Sequence, residues 1–280
     1  MWLLLQTLQV SSTSFYDWLT SESSGKTKAK REAELQKGEE AKKLFMEHKK
    51  SIGSRRMAYA MTKGGDPMGR KSARRMMRQN RLVVRRKRLF VRTTDSKHSE
   101  PISPNLLQRD FTSERPNEIW VGDITYLPTK QGFVYLATWI DLYSRKVVGH
   151  SVYDHMRASL VTDTLRKAIV VRQPARGVIV HTDRGSQYAS GAFRDLLKLH
   201  GMTQSMSGKG NCYDNAAAET FFSTLKKELC ADKVFEDLAD AQFEVWKYIE
   251  GYYNRKRMHS YLKYLSPCEF EDNFSVKQVG

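Results

Sequence analysis

Three carboxylates in this chain stand where chemistry is the natural use for them. Asp123 lies inside Ile119-Trp120-Val121-Gly122-Asp123-Ile124-Thr125-Tyr126, a run patterned as a strand. A carboxylate embedded there is costly unless it is paired or holds a metal. The plain alternative is a strand-end Asp that faces water. Asp183 follows the apolar run Gly177-Val178-Ile179-Val180-His181 and opens Asp183-Arg184-Gly185-Ser186. Functional groups gather at strand C-termini when helices flank a sheet. An Asx-turn onto Gly185 is the plain alternative. Glu219 lies in the helix-favouring stretch 214–230, behind Ala216, Ala217 and Ala218. Those small residues allow a backbone or a nucleic acid to come close. Lys226, seven positions on, shares the Glu219 face, which could also be an ordinary solvated Glu/Lys stripe. Three carboxylates brought together would offer the hard oxygen ligands that a divalent cation prefers.

Elements that could bring them together can be read around each one. Residues 118–127, 132–141 and 146–153 are strand-like with short turns between them, an antiparallel meander. A helix at 159–171, a strand at 177–181, a helix at 190–200, a strand at 202–206, and helices at 214–230 and 235–253 follow. A meander followed by alternating helices and strands predicts an α/β fold. The order matches a ribonuclease-H-like mixed five-stranded sheet flanked by helices. Its first and fourth strands are neighbours there, and the helix bearing Glu219 crosses near their ends. Residues 117–275 are expected to form this core, with 95–116, which hold Pro101, Pro104 and Pro116, as a linker.

The segment ahead of that linker is different in kind. Residues 1–110 hold 25 Lys and Arg against 11 Asp and Glu, whereas 111–280 hold 22 against 20. Nearly all of the net +16 therefore belongs to the N-terminal part. A basic segment joined to a near-neutral one points to a module that grips a polyanion. Residues 1–50 read as a helical segment with a polar linker or frayed turn at 21–31. Residues 51–94 read as two helices, 54–62 and 69–79, joined by Lys63-Gly64-Gly65-Asp66-Pro67. The second carries Arg70, Lys71, Arg74, Arg75 and Arg78, and Arg85-Arg86-Lys87-Arg88 follows soon after. That is a small basic all-α, helix-turn-helix-like region, and the Arg cluster suits DNA phosphates. The three cysteines have no paired spacing, which argues against disulfides or structural zinc. No apolar run approaches the ~20 residues of a membrane span, and the start lacks the basic n-region of a signal peptide. A cytoplasmic, nucleoid-associated protein is the expectation.

Five pieces of the sequence carry a family resemblance. They are Trp120–Tyr126; Asp141-Leu142-Tyr143-Ser144-Arg145-Lys146-Val147-Val148-Gly149; and His181-Thr182-Asp183-Arg184-Gly185-Ser186-Gln187-Tyr188. The others are Ser205 through Ala216 leading to Glu219, and Tyr253-Asn254 through Arg257, His259, Leu262, Ser266 and Pro267. Together they resemble a DDE transposase with a retroviral-integrase-type core, and more narrowly the downstream reading-frame product of two-frame insertion sequences. The resemblance spans roughly residues 51–272. Two departures stand out: Thr182 where Ser is commoner, and Lys263 where Gly is usual.

The resemblance implies a metal-dependent enzyme that cleaves DNA at transposon ends and transfers the 3′-hydroxyl into target DNA. Asp123, Asp183 and Glu219 are its implied catalytic and metal-binding residues. Two Mg²⁺ (or Mn²⁺) ions would be held, with Asp123 bridging both. Lys226, Arg184, Lys209 and Asn211 are candidate DNA contacts. His181 could orient the site or simply pack in the core; Asn254, Arg257 and His259 could brace the last helix. Double-stranded DNA is the implied partner, with a homo-oligomer on DNA and an upstream reading-frame product as further partners. The rivals are a nuclease of the same fold that cuts without joining and a non-catalytic DNA-binding regulator.

Overall fold

The computed structural model describes residues 7, 11–23, 25–84, 100–108, 110–208, 216–230 and 233–279. They fall into two compact units, divided between Val84 and Arg85. Among the described residues no helix is long and apolar enough to cross a membrane.

The N-terminal unit contains helices α1 (Ser12–Ser23), α2 (Gly25–Glu47), α3 (Ser54–Lys63) and α4 (Arg70–Gln79). The polar stretch 21–31, expected as a linker, is helical apart from Ser24, which lies outside the described residues. Its Lys, Glu, Ala and Arg residues are good helix formers, and that local preference acts without an apolar stripe. Ala41, Phe45, Ile52, Met57, Met61, Ala73, Met76 and Met77 form the small core. On α4 the spacing of Ala73, Met76 and Met77 turns one face inward. Arg70, Lys71, Arg74, Arg75 and Arg78 are left exposed on the remainder.

The second unit is built on a five-stranded sheet. Its strands are β1 (Ile119–Thr129), β2 (Gly132–Asp141), β3 (Val147–Tyr153), β4 (Ile179–Thr182) and β5 (Thr203–Met206), in the order β3-β2-β1-β4-β5. β1, β2 and β3 pair antiparallel, and β1–β4–β5 pair parallel. This is the mixed sheet of the ribonuclease-H-like fold. Between strands lie α5 (Ala158–Arg172), the single turn α6 (Ser186–Ala189) and α7 (Gly191–Leu199); after β5 come α8 (Ala216–Glu228) and α9 (Leu238–Tyr248).

Alternation along the strands sends side chains to two cores. Trp120, Ile124, Ala137 and Trp139 pack with α5 and α7, while Val121, Leu127, Leu136 and Ile140 pack with α8 and α9. Two glycines make room on the first face. A Cβ on Gly122 would collide with the Trp139 ring, and one on Gly149 would sit 2.8 Å from Ala168 Cβ and from Thr164 O.

Two segments differ from the reading of the sequence, each through bonds that leave no periodic signature. Helix α9 starts at Leu238, because Asp237 caps it by accepting the Asp240 N–H at 2.9 Å. Phe235 stays extended and bridges Thr129. The helix then loosens into a π-turn, Ile249–Tyr253. The Pro-rich stretch, expected as a spacer, lies along β5. Met206 N–H donates to Pro104 O at 3.2 Å, Leu106 N–H to Ser205 Oγ at 2.9 Å, and Leu107 is buried.

A final helix, α10 (Pro267–Val279), brings Glu271 beneath the start of the sheet. Arg172 donates to both Glu271 oxygens at 2.8 and 2.9 Å and to Asp141 at 3.2 Å, and Lys146 reaches Glu271 at 2.8 Å. Asn254 grips β3 by accepting Val147 N–H and donating to Val147 O, both at 3.0 Å. Arg257 clamps Glu228 at 3.0–3.1 Å. The Asn254 and Arg257 motif is thus a brace, as one reading of the sequence allowed.

Candidate active site

The parallel register of β1 and β4 sets the site. Ile119 is opposite Ile179, Trp120 opposite Val180 and Val121 opposite His181. Carried two residues further, the same register puts Asp123 level with Asp183 just past the end of β4. Neighbouring strands run about 4.8 Å apart, so the two carboxylates are near neighbours. Asp123 shares its face of β1 with Val121 and Leu127, the face that α8 covers. Glu219 lies in the first turn of α8, exposed.

The electrostatics record the crowding. Burial pushes the Asp123 carboxyl well above the usual range, the Asp183 charge adds to that push, and Glu219 adds a smaller one. The Ile124 N–H, donating to Asp123 Oδ1 at 2.8 Å, and the more distant Lys226 act the other way. Asp183 Oδ1 accepts the Gly185 N–H at 2.9 Å, so the Asx-turn and the acid pair coexist in one residue. Tyr188 forms the floor: its buried ring packs edge-on against Trp139 and Phe193. Its phenol is raised chiefly by burial, then by the charges of Asp123 and Asp183.

Two oxygen donors of like charge, one within β1 and one just past the end of β4, fit a hard divalent cation. Among the described residues no three His, Cys, Asp or Glu side chains are close enough to hold an ion as they stand. Asp123 and Asp183 are the pair, and Glu219 on α8 adds a smaller charge effect at Asp123.

The other predicted residues are distributed unevenly. Lys226 is part-buried on α8 with its ammonium 4.3 Å from the Tyr126 ring centroid. Burial lowers its pKa, while Cys230 and Asp123 pull it up. Arg184 Nε donates to Ser207 O at 2.7 Å, tying the loop after β4 to the end of β5. His181 is fully buried, Nδ1 2.8 Å from Ser205 Oγ, with Phe111 edge-on at 6.5 Å; it packs in the core. His259 stands edge-on to Tyr253 at 5.0 Å. Lys209, Asn211, Arg85, Arg86, Lys87 and Arg88 lie outside the described residues. The five basic residues of α4 belong to the N-terminal unit, exposed on its surface. Reading by sequence missed the cluster of Asp141, Arg172 and Glu271, whose members are 31 and 99 residues apart and share no motif.

A mixed sheet with one acid inside β1 and another just past the end of the neighbouring β4 is the arrangement of an integrase-type core. Family models agree: an integrase core domain matches residues 113–212, a second integrase core domain model matches 219–274, and an HTH-like domain matches 30–90. The chain is 43% identical over 233 residues to the transposase for insertion sequence element IS904 of Lactococcus lactis, covering 83% of this chain and 92% of the relative. It is 42% identical over 228 residues to the transposase InsF for insertion sequence IS3A of Escherichia coli K12, covering 81% and 79%. Over 271 residues it is 35% identical to a 31 kDa protein of insertion element IS600 from Shigella sonnei, covering 97% and 98%. Among solved structures, the HTLV-2 integrase catalytic core in complex with magnesium superposes with a TM-score of 0.44 at 18% identity, covering 57% of this chain and 99% of that one. The chain belongs to the insertion-sequence transposases with an integrase core and an HTH-like domain. It is a DNA transposase, an enzyme of the polynucleotidyl transferase type.

Proposed function

We propose that Asp123, Asp183 and Glu219 are the catalytic carboxylates of this transposase and that they act on transposon ends and target DNA. The observation that carries the assignment is the β1/β4 register, which sets Asp123 level with Asp183. These acids would hold divalent ions of the Mg²⁺ or Mn²⁺ type, two of them, which would supply Lewis-acid charge for an in-line displacement. The chain's part is to fix the acids on rigid elements, keep the Tyr188 side of the site dry, and hold DNA in register.

The reaction then runs in two displacements of the same kind. Water attacks the phosphorus at the transposon end. A new P–O bond forms, the bond to the end's O3′ breaks, and that oxygen leaves as a hydroxyl. In the second step this 3′-hydroxyl attacks a target phosphodiester. It becomes the new O3′–P bond, and the displaced target O3′ takes up a proton. Both steps exchange one P–O bond for another, so neither needs an oxidant or a nucleotide.

DNA is held by phosphate contacts from Arg70, Lys71, Arg74, Arg75 and Arg78, which leave base-independent affinity and strong salt dependence. The Arg85–Arg88 cluster, Lys209 and Asn211 extend that grip, Arg184 shapes the loop beside it, and Lys226 contacts the transposon end. A transposition event joins two ends, so the working form is a homo-oligomer on DNA. An upstream reading-frame product is a further partner, and the nucleoid in the cytoplasm is the place of action. As working divisions, the helical segment 1–50 and the DNA-binding region 51–94 act as one unit sharing a core, and the linker 95–116, which pairs with β5, leads into the core 117–275.

Strand transfer tests the assignment. Labelled duplexes carrying the element's own ends are incubated with plasmid and Mg²⁺ or Mn²⁺. Wild type is expected to form joined product and Asp183→Asn none. Cutting without joining would replace the transferase assignment with a nuclease. Equal binding by both proteins with no cutting would refute it.

A further inference from the structure

Lys226 owes its position to a neighbour on another element. β1 is paired with β4 only through Val121. Beyond Asp123 that edge of β1 runs on without β4, until the bridge from Thr129 to Phe235. Over this open stretch the Lys226 ammonium sits 4.3 Å from the centroid of the Tyr126 ring. The ring is itself held from the side by Phe133, edge-on at 5.2 Å and 89°. Phe133 is 58% exposed, so the pair lies at the surface. Among the described residues Lys226 forms no salt bridge, and the aromatic face is the partner that fixes its long side chain. A cation over a ring face is attracted by the ring quadrupole and gives up little of its capacity to meet an anion.

We propose that Tyr126, buttressed by Phe133, is a positioning residue that aims Lys226 at one phosphate of the bound DNA strand. The proposal rests on the reading that the acids at Asp123 and Asp183 mark the reacting phosphate. Tyr126 lies three residues beyond Asp123 on the same strand, about 10 Å at 3.4 Å per residue. Phosphates along one DNA strand recur every 3.4 Å of helix axis. The clamp therefore falls within about three nucleotides of the scissile bond. Aromatic geometry, rather than an ion pair, leaves the ammonium's charge available there.

The test is the salt dependence of binding, which needs no catalysis. Fluorescence anisotropy with end duplexes, across a salt series, gives the slope of log K against log salt. Losing one phosphate contact lowers that slope by about 0.9. Lys226→Gln and Tyr126→Leu are both expected to lower it by that amount, and Tyr126→Phe to leave it unchanged. Placing trifluorophenylalanine at 126 keeps the shape but weakens the ring's negative face; affinity should fall about two- to fivefold. That substitution also answers for Tyr126→Leu if the latter fails to fold. A neutral methylphosphonate within three nucleotides of the cut should weaken wild type and add nothing to Lys226→Gln. The proposal is overturned if the fluorinated protein binds like wild type, or if the slope falls in Lys226→Gln alone. Failure of the acid assignment would register separately, as absent joining by wild type with these slopes intact.

Discussion

Two clusters of acids sit in the same unit and are treated oppositely. Asp141 and Glu271 share Arg172, and Glu271 has Lys146 as well. Asp123 and Asp183 face each other across neighbouring strands. In the first cluster the arginine divides its charge unequally. Its two short contacts go to Glu271, whose carboxyl stays below the ordinary range despite burial. Asp141, fully buried with one longer contact, is pushed up to about 6 by burial. In the second cluster burial and the opposed charge act together on Asp123. Acids that meet a cation from the fold hold the fold together. Acids pressed on one another, as Asp123 and Asp183 are, raise the cost of their charge.

Removing one acid from the second cluster is the sharpest way to break the comparison. Asp183→Asn should cut strand transfer below about one ten-thousandth of wild type, a loss of ~5.5 kcal/mol of transition-state stabilisation. Its thermal midpoint should hold or rise, because a repulsion is relieved. A drop in the midpoint together with activity would mark Asp183 as structural.

The mirror experiment removes the shared cation. Arg172→Leu leaves Asp141 and Glu271 buried together and should cost about 3–5 kcal/mol in urea unfolding. The folded fraction should still join DNA in the presence of Mg²⁺. Loss of joining in protein that remains folded would erase the distinction between the clusters.

Titration separates the two acids of the structural cluster. Asp141 has a folded pKa above its unfolded one, so the native state binds the extra proton. Its contribution is full below the unfolded value and is lost as pH rises from about 4 through about 6, on the order of 2–3 kcal/mol. Glu271, with a lowered pKa, has the opposite sign: its stability is present above the unfolded value and is lost as pH falls. Unfolding curves from pH 4 to pH 7 should therefore show the wild type losing ground with rising pH relative to Asp141→Asn. Parallel curves would remove Asp141 from the account.

The smallest effect tests a departure noticed in the sequence. Lys263 has φ of 55°, in the left-handed region that costs a side chain about 1–2 kcal/mol. Lys263→Gly relieves that strain but loosens the unfolded chain, so a gain of up to ~1 kcal/mol is expected from the melting midpoint. No gain would mean the neighbouring Tyr264, φ 67°, sets the turn instead.

The sequence was legible where a pattern is local. Alternation gave the strands, and the run into Asp183 gave the end of β4. The adjacency of β1 and β4 followed from element order, which is why the acid pair could be anticipated before any coordinate. Within α1 and α2 only the polar stretch 21–31 was obscured, because polar residues of good propensity leave no stripe. The run before β1 reads as a spacer in the sequence, since the bonds that tie it down go to Ser205 and Met206, about a hundred residues on. Arg172, Asp141 and Glu271 were illegible for the same reason: only packing reveals which distant charges share a partner. Tyr126 belongs to the motif at Trp120–Tyr126, yet nothing in the string says that a lysine from α8 rests on its ring.

The parallel pairing of β1 with β4 has a consequence for how the protein is made. Parallel neighbours require a crossover, here the 60 positions from Asp123 to Asp183. Glu219, the third proposed carboxylate, comes 36 positions later still. A ribosome that stops early releases a chain holding one or two acids and no complete set. Under the proposed assignment, a chain that stops before Glu219 would lack one of the three carboxylates, so the set would be complete only once α8 has been made.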